Sequence, residues 1–517
     1  MPAHARLSRG ERPYPHAARR GGARSMCRMA RCGALAAALS IAVACSSQSP
    51  STASASAPLL AGTPMAACTI SGEVPVKASV AGYCGTLQVP EDRSKPSGRQ
   101  IGLHVAVVPA QAADPAPDPF FALAGGPGDA STSFFAWLPG LYADVHARHD
   151  IVLVDQRGTG ESNPLTMPPL PDTSGLSPAE TDATLASWAR DGLAVLDADP
   201  RMYTSAVAAD DLDAVRAALG YDTIDLYGTS YGGELAQYYL RQHPDHARVA
   251  IMDGSTPLDV PVLELMAATS QRALDLLLTR CEQDAACHAA FPNVRQEWST
   301  LVAAFAGGVT VTDPETGQTG TATLAMIGPS IHNALLTGDA AAQLPLAIHL
   351  ASEGQFDQVS QLVPPAPIGI STILVHDEIF CSEAWARLDP GEVARLGAGS
   401  YAVPFVQAWA QQFASLCRYL PKGVVPTDDA APLRTEIPIL WIAGDGDPQD
   451  PPSNLTGVAA QEPNATIVVM PAQEHVAGHL GCGPQVIAKF IDAGTAKGLD
   501  TSCMARGPDP APTFHLP

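Results

Sequence analysis

The sequence is short of charge, and of positive charge most of all. Charged residues make up 16% of the 517, and 30 basic residues face 52 acidic ones for a net −22. A surface of that sign repels phosphate, which excludes nucleic acid as a partner and disfavours an anionic membrane face. The apolar run at 33–44 has twelve residues, short of the roughly 20 that a bilayer-crossing helix needs. None of the eleven cysteines forms a Cys-x-x-Cys pair, which argues against a zinc site. The Gly-rich stretch at 125–128 lacks the Lys-Ser/Thr pair of a phosphate loop, so it is no nucleotide cradle. No cofactor and no metal are expected, and no internal repeat is present.

What charge there is lies unevenly. Residues 1–44 hold eight Arg and one acid, a net +7, leaving −29 for the rest. Arg28 and Arg31 precede the apolar run and small residues follow it, the pattern of a secretory signal, with Met26 and Met29 as alternative starts. Cys45 follows Ala-Val-Ala and resembles a bacterial lipoprotein cleavage site, although Ala42 stands where a bulkier aliphatic residue is usual. Lipidation at Cys45 and ordinary signal cleavage both stay open, and that lipid is the only membrane attachment considered. Residues 1–45 are thus expected to be a signal peptide and the Ser/Ala/Pro-rich 46–67 a flexible tether. The product is expected to be extracellular, periplasmic or lipid-anchored at a bacterial envelope. Past the leader eight cysteines remain, an even number that suits disulfides in an oxidising compartment. Proximity favours 68–84, 281–287, 381–417 and 482–503 among the 105 connectivities.

From 68 to 254 short β-branched runs end in Gly-rich turns and several are followed by helical stretches: 101–108, 120–124, 151–154, 224–227 and 248–252. Such alternation predicts a mainly parallel sheet with helices on both faces, a fold whose ligands bind at the strand ends. Residues 255–432 read as a mainly helical cap insertion, and 433–517 as the second part of the core, with strands at 437–443 and 465–470 and a closing helix at 484–493.

Gly228-Thr-Ser230-Tyr-Gly232 stands between a β-like run and a helical stretch, the context in which Gly-x-Ser-x-Gly becomes a nucleophile elbow. A serine hydroxyl needs a base to take its proton, and that base needs an orienting carboxylate. On such a sheet the chain order is Ser, then acid, then His. Asp447 lies just past the 437–443 run and is favoured over its neighbours Asp445 and Asp450. His475 lies just past the 465–470 run and is favoured over His479. A zinc-protease helix would need Glu directly after the first His, where Val476 stands. The Tyr231 amide supplies one oxyanion donor by construction, and the loop at 125–128 suits the second.

LAGGPG (123–128), DQRGTGES (155–162), YGTSYGG (227–233), GDGDP (444–448) and PAQEH (471–475) together resemble the exported α/β-hydrolases of the proline iminopeptidase and tripeptidyl aminopeptidase group. The resemblance spans about 68–255 and 435–493. It implies an α/β-hydrolase fold, a triad of Ser230, Asp447 and His475, and oxyanion donors at Gly126 and Tyr231. It also implies that the charged residues of 155–162 brace loops beside the site. Ala124 stands where many cytoplasmic iminopeptidases have His, which moves the match toward the exported branch. Enzymes of this group recognise a free amino terminus with cap carboxylates. Glu383, two residues after Cys381 in a segment similar to theirs, is the first candidate, and Glu234 just past the elbow the second. The implied activity is serine exopeptidase action on peptides with a free N-terminus. The rivals are a carboxylesterase with the same triad and a binding protein on an inactive scaffold.

Overall fold

A computed structural model describes residues 57–72, 78–136, 138–169, 171, 176–312, 319–356, 358–359, 363, 374–506 and 513–516. The signal, Cys45 and the first half of the expected tether lie outside them. Nine strands form the main sheet: β1 (Ala66–Gly72), β2 (Ala78–Pro90), β3 (Gln100–Val108), β4 (Phe120–Leu123), β5 (Ile151–Val154), β6 (Ile224–Thr229), β7 (Ala247–Asp253), β8 (Ile439–Gly444) and β9 (Ala465–Met470). Their spatial order is β9-β8-β7-β6-β4-β5-β3-β2-β1. The six strands from β9 to β5 pair in parallel, while β3, β2 and β1 extend the sheet antiparallel.

Alternation along the strands builds two cores. Leu103, Val105 and Val107 of β3, with Phe121 and Leu123 of β4, face one buried cluster, and Ala106, Val108, Phe120 and Ala122 face another. A sheet apolar on both faces must be covered on both, and helices do this. Helix α1 (Ser205–Leu219) and α2 (Tyr231–Gln242) pack into the first cluster. The amphipathic closing helix, Gly483–Ala493, packs into the second.

Between β7 and β8 the chain is mainly helical, as expected. Its helices include α3 (Val262–Gln283), α4 (Leu324–Ala334), α5 (Leu374–Ser382) and α6 (Val403–Leu416). One antiparallel hairpin, Val309–Thr312 with Thr319–Ala322, interrupts the helices. All four proximity pairings of cysteine form: Cys68–Cys84, Cys281–Cys287, Cys381–Cys417 and Cys482–Cys503.

The tether ends earlier than its composition suggests. Leu59–Leu60 and Thr63–Pro64 form a small hairpin, and β1 starts at Ala66, before Cys68. Leu60 and Met65 are buried in the first core, and the Ala61 amide donates to the Ala218 carbonyl at the end of α1. Leu60 and Met65 supply the apolar area by which this stretch docks, while Leu59 stays exposed.

The 155–162 segment after β5 braces loops. Asp155 accepts from the Thr132 amide and hydroxyl at 3.0 and 2.7 Å and from the Glu161 amide at 3.1 Å. Arg157, fully buried, grips Asp211 of α1 through two bonds at 2.6 and 2.7 Å and donates to the carbonyls of Glu91 and Met202 at 2.8 and 2.9 Å. Removing one partner of a buried pair strands the other's charge, which costs about 3–5 kcal/mol. Arg157→Met is therefore expected to lower unfolding free energy by about that much in urea titrations.

Candidate active site

Ser230 sits where β6 turns into α2, with φ 54° and ψ −128°, a left-handed backbone that non-Gly residues adopt only when their surroundings force it. The forcing is steric. A Cβ on Gly228 would lie 2.3 Å from the Gly232 carbonyl oxygen, and one on Gly232 would lie 2.3 Å from that of Leu123. Strand, turn and helix therefore approach more closely than any side chain permits. The Ser230 amide donates to the Asp253 carbonyl at 3.0 Å, and its side chain makes no capping bond to α2. Gly125 lies against it: a Cβ there would meet the Ser230 Cβ at 3.0 Å. Gly126, exposed and at φ 108°, follows directly, so the 125–128 loop and the start of α2 flank Ser230 as the sequence reading expects.

Asp447 and His475 come together. The Asp447 Oδ2 accepts from His475 Nδ1 at 2.8 Å, and its Oδ1 accepts from the amides of Gln449 and Asp450 at 2.8 and 2.9 Å. Asp447 is fully buried. Burial alone would raise its pKa, but the imidazole and the two amides outweigh burial and hold it below the ordinary carboxylate value. Burial likewise works against a charged His475, and Asp447, Asp450 and Asp253 overcome it and push the imidazole's pKa up. Ser230 and His475 both adjoin the 253–254 turn: the Ser230 amide bonds the Asp253 carbonyl, and a Cβ on Gly254 would lie 3.2 Å from His475 Nδ1. No hydrogen bond joins Ser230 Oγ to His475; such contacts are often loose in the free enzyme and tighten with substrate.

The other acids of the acid loop have separate work. Asp445 Oδ1 accepts from the Ala472 amide at 2.7 Å, and Gly446 N–H donates to the Gln473 carbonyl at 2.8 Å, so Asp445 ties the acid loop to the His loop. Asp450 Oδ2 lies 3.8 Å from His475 Nδ1, and its Oδ1 accepts from Thr256 Oγ1 at 2.5 Å. His479 belongs to the same loop four residues on.

The cap reaches both loops. Thr269 of α3 donates to the Pro448 carbonyl at 2.5 Å, Arg272 to that of Asp445 at 2.6 Å, and the His475 amide to that of Leu336 just past α4 at 3.3 Å. His332 of α4 bonds Ser270 at 2.8 Å, and burial lowers its pKa to about 4, so it stays neutral. Sequence reasoning missed it because a lone His in an apolar helix carries no signal.

Glu383 lies just after α5, buried, with one oxygen on the Ser205 amide and the other on the Ser205 hydroxyl, both at 2.8 Å. Ser205 Oγ in turn meets the Tyr231 hydroxyl at 2.7 Å. Glu234, half-buried on the first turn of α2, belongs to the same acidic patch. Burial, then Asp450 and Glu383, push it up to about 8, and burial pushes Glu383 up to about 7.

Among the described residues, two groups have donor atoms close enough to hold a metal, Asp447–Asp450–His475 and Asp213–His243–His246. The first is saturated by the bonds above. In the second, Asp213 Oδ1 already accepts from Arg216, His246 and Tyr239 at 2.7, 2.7 and 3.1 Å, a self-satisfied ion-pair network.

A base must be neutral to accept a proton, so the raised pKa of His475 sets the sign of a pH effect. Activity resting on His475 is expected to be full above that pKa and to fall as pH drops through it, placing the acid limb of kcat/KM above the ordinary histidine value near 6.5. A pH–rate profile reads it directly.

The family described as alpha/beta hydrolase fold matches residues 118–279, and a family described as TAP-like protein matches 401–503. The chain is 28% identical to serine protease Hip1 of Mycobacterium tuberculosis over 242 residues, 41% of this chain and 44% of that one. It is 31% identical to the tripeptidyl aminopeptidase of Streptomyces lividans over 187 residues, 33% of this chain and 35% of that one. The matches thus span less than half the length of these relatives. Among solved structures, a proline iminopeptidase of Mycobacterium smegmatis aligns at 16% identity and TM-score 0.35, covering 80% of this chain and 100% of that one. The parallel sheet, the elbow at its centre and the match over 118–279 give this chain an α/β-hydrolase fold, and residues 401–503 are similar to the family described as TAP-like protein.

Proposed function

We propose that the chain is an exported serine hydrolase of peptidase type that cuts near free amino termini through an acyl-enzyme. The observation that carries this reading is the buried Asp447 carboxylate, locked by two amides, holding His475 at 2.8 Å beside the strained Ser230 elbow. His475 Nε2 takes the Ser230 hydroxyl proton as Oγ attacks the scissile carbonyl carbon. The amides of Tyr231 and Gly126 hold the oxyanion, and losing one such donor typically costs about 2.7–4 kcal/mol. The imidazolium then protonates the leaving amine, whose bond to carbon breaks. Water, deprotonated by the same base, releases the acyl group and restores Ser230.

The acidic patch supports the choice of substrate. Glu234 carries a half-buried carboxyl one turn from the nucleophile, with Glu383 and Asp450 adding negative potential behind it. Arg387 offsets only part of the effect of burial on Glu234 and Glu383, and a substrate ammonium would supply further positive charge. Glu383 is already bonded to Ser205, so Glu234 is the stronger anchor and Glu383 chiefly ties the cap to α1. On this reading 68–254 and 433–517 make the core and 255–432 the cap that limits how much peptide enters. The four disulfides support an oxidising compartment, in keeping with the basic leader.

Chromogenic amides of mono-, di- and tripeptides, each free and N-acetylated, together with simple esters, test the reading. Free-amine amides are expected to turn over and their acetylated forms to fail. Ser230→Ala is expected to cut kcat on the order of 10⁶-fold and abolish labelling by a serine-reactive phosphonate, with an unchanged melting curve. Equal turnover of acetylated amides or esters would replace the peptidase reading by the esterase one. Retained activity in Ser230→Ala would remove both.

A further inference from the structure

Besides the presumed triad, one more carboxylate lies at the meeting point of its loops. Asp253 ends β7, is fully buried, and is used by no step of the mechanism above. Its backbone carbonyl accepts the Ser230 amide at 3.0 Å. Both side-chain oxygens accept the Gly478 amide at 3.0 Å, three residues beyond His475. Oδ2 also accepts the Tyr227 hydroxyl at 2.8 Å, and Tyr227 meets Tyr142 at 2.7 Å beneath the sheet. Next door, the Gly254 amide donates to the Ile442 carbonyl of β8, the strand that delivers Asp447.

The fit is close. A Cβ on Gly478 would lie 2.5 Å from Asp253 Oδ2, and one on Gly254 would lie 2.7 Å from the Val476 nitrogen. The His loop itself is strained: Ala472 and Val476 adopt φ 55° and 57°. For a β-branched residue such as Val476 that conformation is an outlier, held only by its surroundings. Asp445 pins the loop ahead of His475 through the Ala472 amide, and Asp253 pins it behind through Gly478.

We infer that Asp253 is a positioning residue for His475: its carboxylate clamps the 476–478 turn so that the imidazole is held between Asp447 and Ser230. The inference rests on the triad reading above. Both oxygens of Asp253 act as acceptors, which matches the ionised form, and a fixed anion there also favours the imidazolium that forms in catalysis. The groups facing His475 are Asp447 and Asp450 from the acid loop, His332 from α4, and Asp253 from β7.

Asp253→Asn keeps the shape and removes the charge. With wild type active, the variant is expected to lose about 10²-fold in kcat, as for a catalytic group displaced by about an ångström, with KM nearly unchanged. The acid limb of its pH profile moves to lower pH, which a purely structural defect would not cause. Wild-type kcat and an unmoved limb would overturn the inference. If that variant fails to melt cooperatively, Tyr227→Phe decides: a smaller kcat loss with the limb moved the same way supports the clamp, and wild-type behaviour overturns it. If wild type hydrolyses none of the substrates, the functional reading fails and amide exchange still tests the clamp. Gly478 N–H is expected to be protected in wild type and to exchange faster in Asp253→Asn, and equal rates would overturn the inference.

Discussion

A hydrogen bond of 2.8 Å between the buried Asp447 and His475 is the contact on which the site depends. Two loops separated by 28 positions in the chain must each be held in place for it to form. The sheet does most of this, because β8 and β9 run in parallel register and release both loops at the same edge. The neighbouring strand β6 releases Ser230 at that edge too, with β7 between. A buried carboxylate without partners would be expelled or neutralised; Asp447 has three donors and stays ionised, so it can orient and charge-balance the imidazole.

Around this bond the protein has gathered far more carboxyl groups than the pair requires. Asp450, Asp253, Glu234 and Glu383 all have raised pKa values, chiefly because they are buried. Concentrating carboxyls in a desolvated place costs stability, and such crowding is characteristic of functional sites. Here it does two separate things. Asp445 and Asp253 hold loops, while Glu383 bonds Ser205 and Asp450 bonds Thr256. The cap is bonded to the acid and His loops rather than resting over them, through Thr269, Arg272 and Leu336.

Much of this was legible in the residue order. Strand runs at 151–154 and 465–470 coincide with β5 and β9. The first is a continuous, mostly β-branched run buried in the parallel sheet, and the second is its edge strand, with Val468 and Met470 turned in and Ile467 and Val469 exposed. Ser230, Asp447 and His475 could be picked out because each follows such a run directly. What stayed hidden depends on contacts across the chain. Asp445 and Asp447 differ by two positions, and only the folded His loop shows one as tether and the other as partner. Asp253-Gly254 reads as one more strand-ending turn until Gly478 lands on it. Leu60 sits in a polar, Ser/Ala-rich stretch, so its docking against the end of α1 had no local signal.

Exchanging each acid of the acid loop for its amide tests the central claim most directly, since Asn preserves shape while removing the charge and the correct imidazole tautomer. The account predicts that Asp447→Asn lowers kcat about 10⁴-fold on a free-amine peptide amide, and that Asp445→Asn loses much less. Near wild-type turnover in Asp447→Asn, or a larger loss in Asp445→Asn, would contradict it.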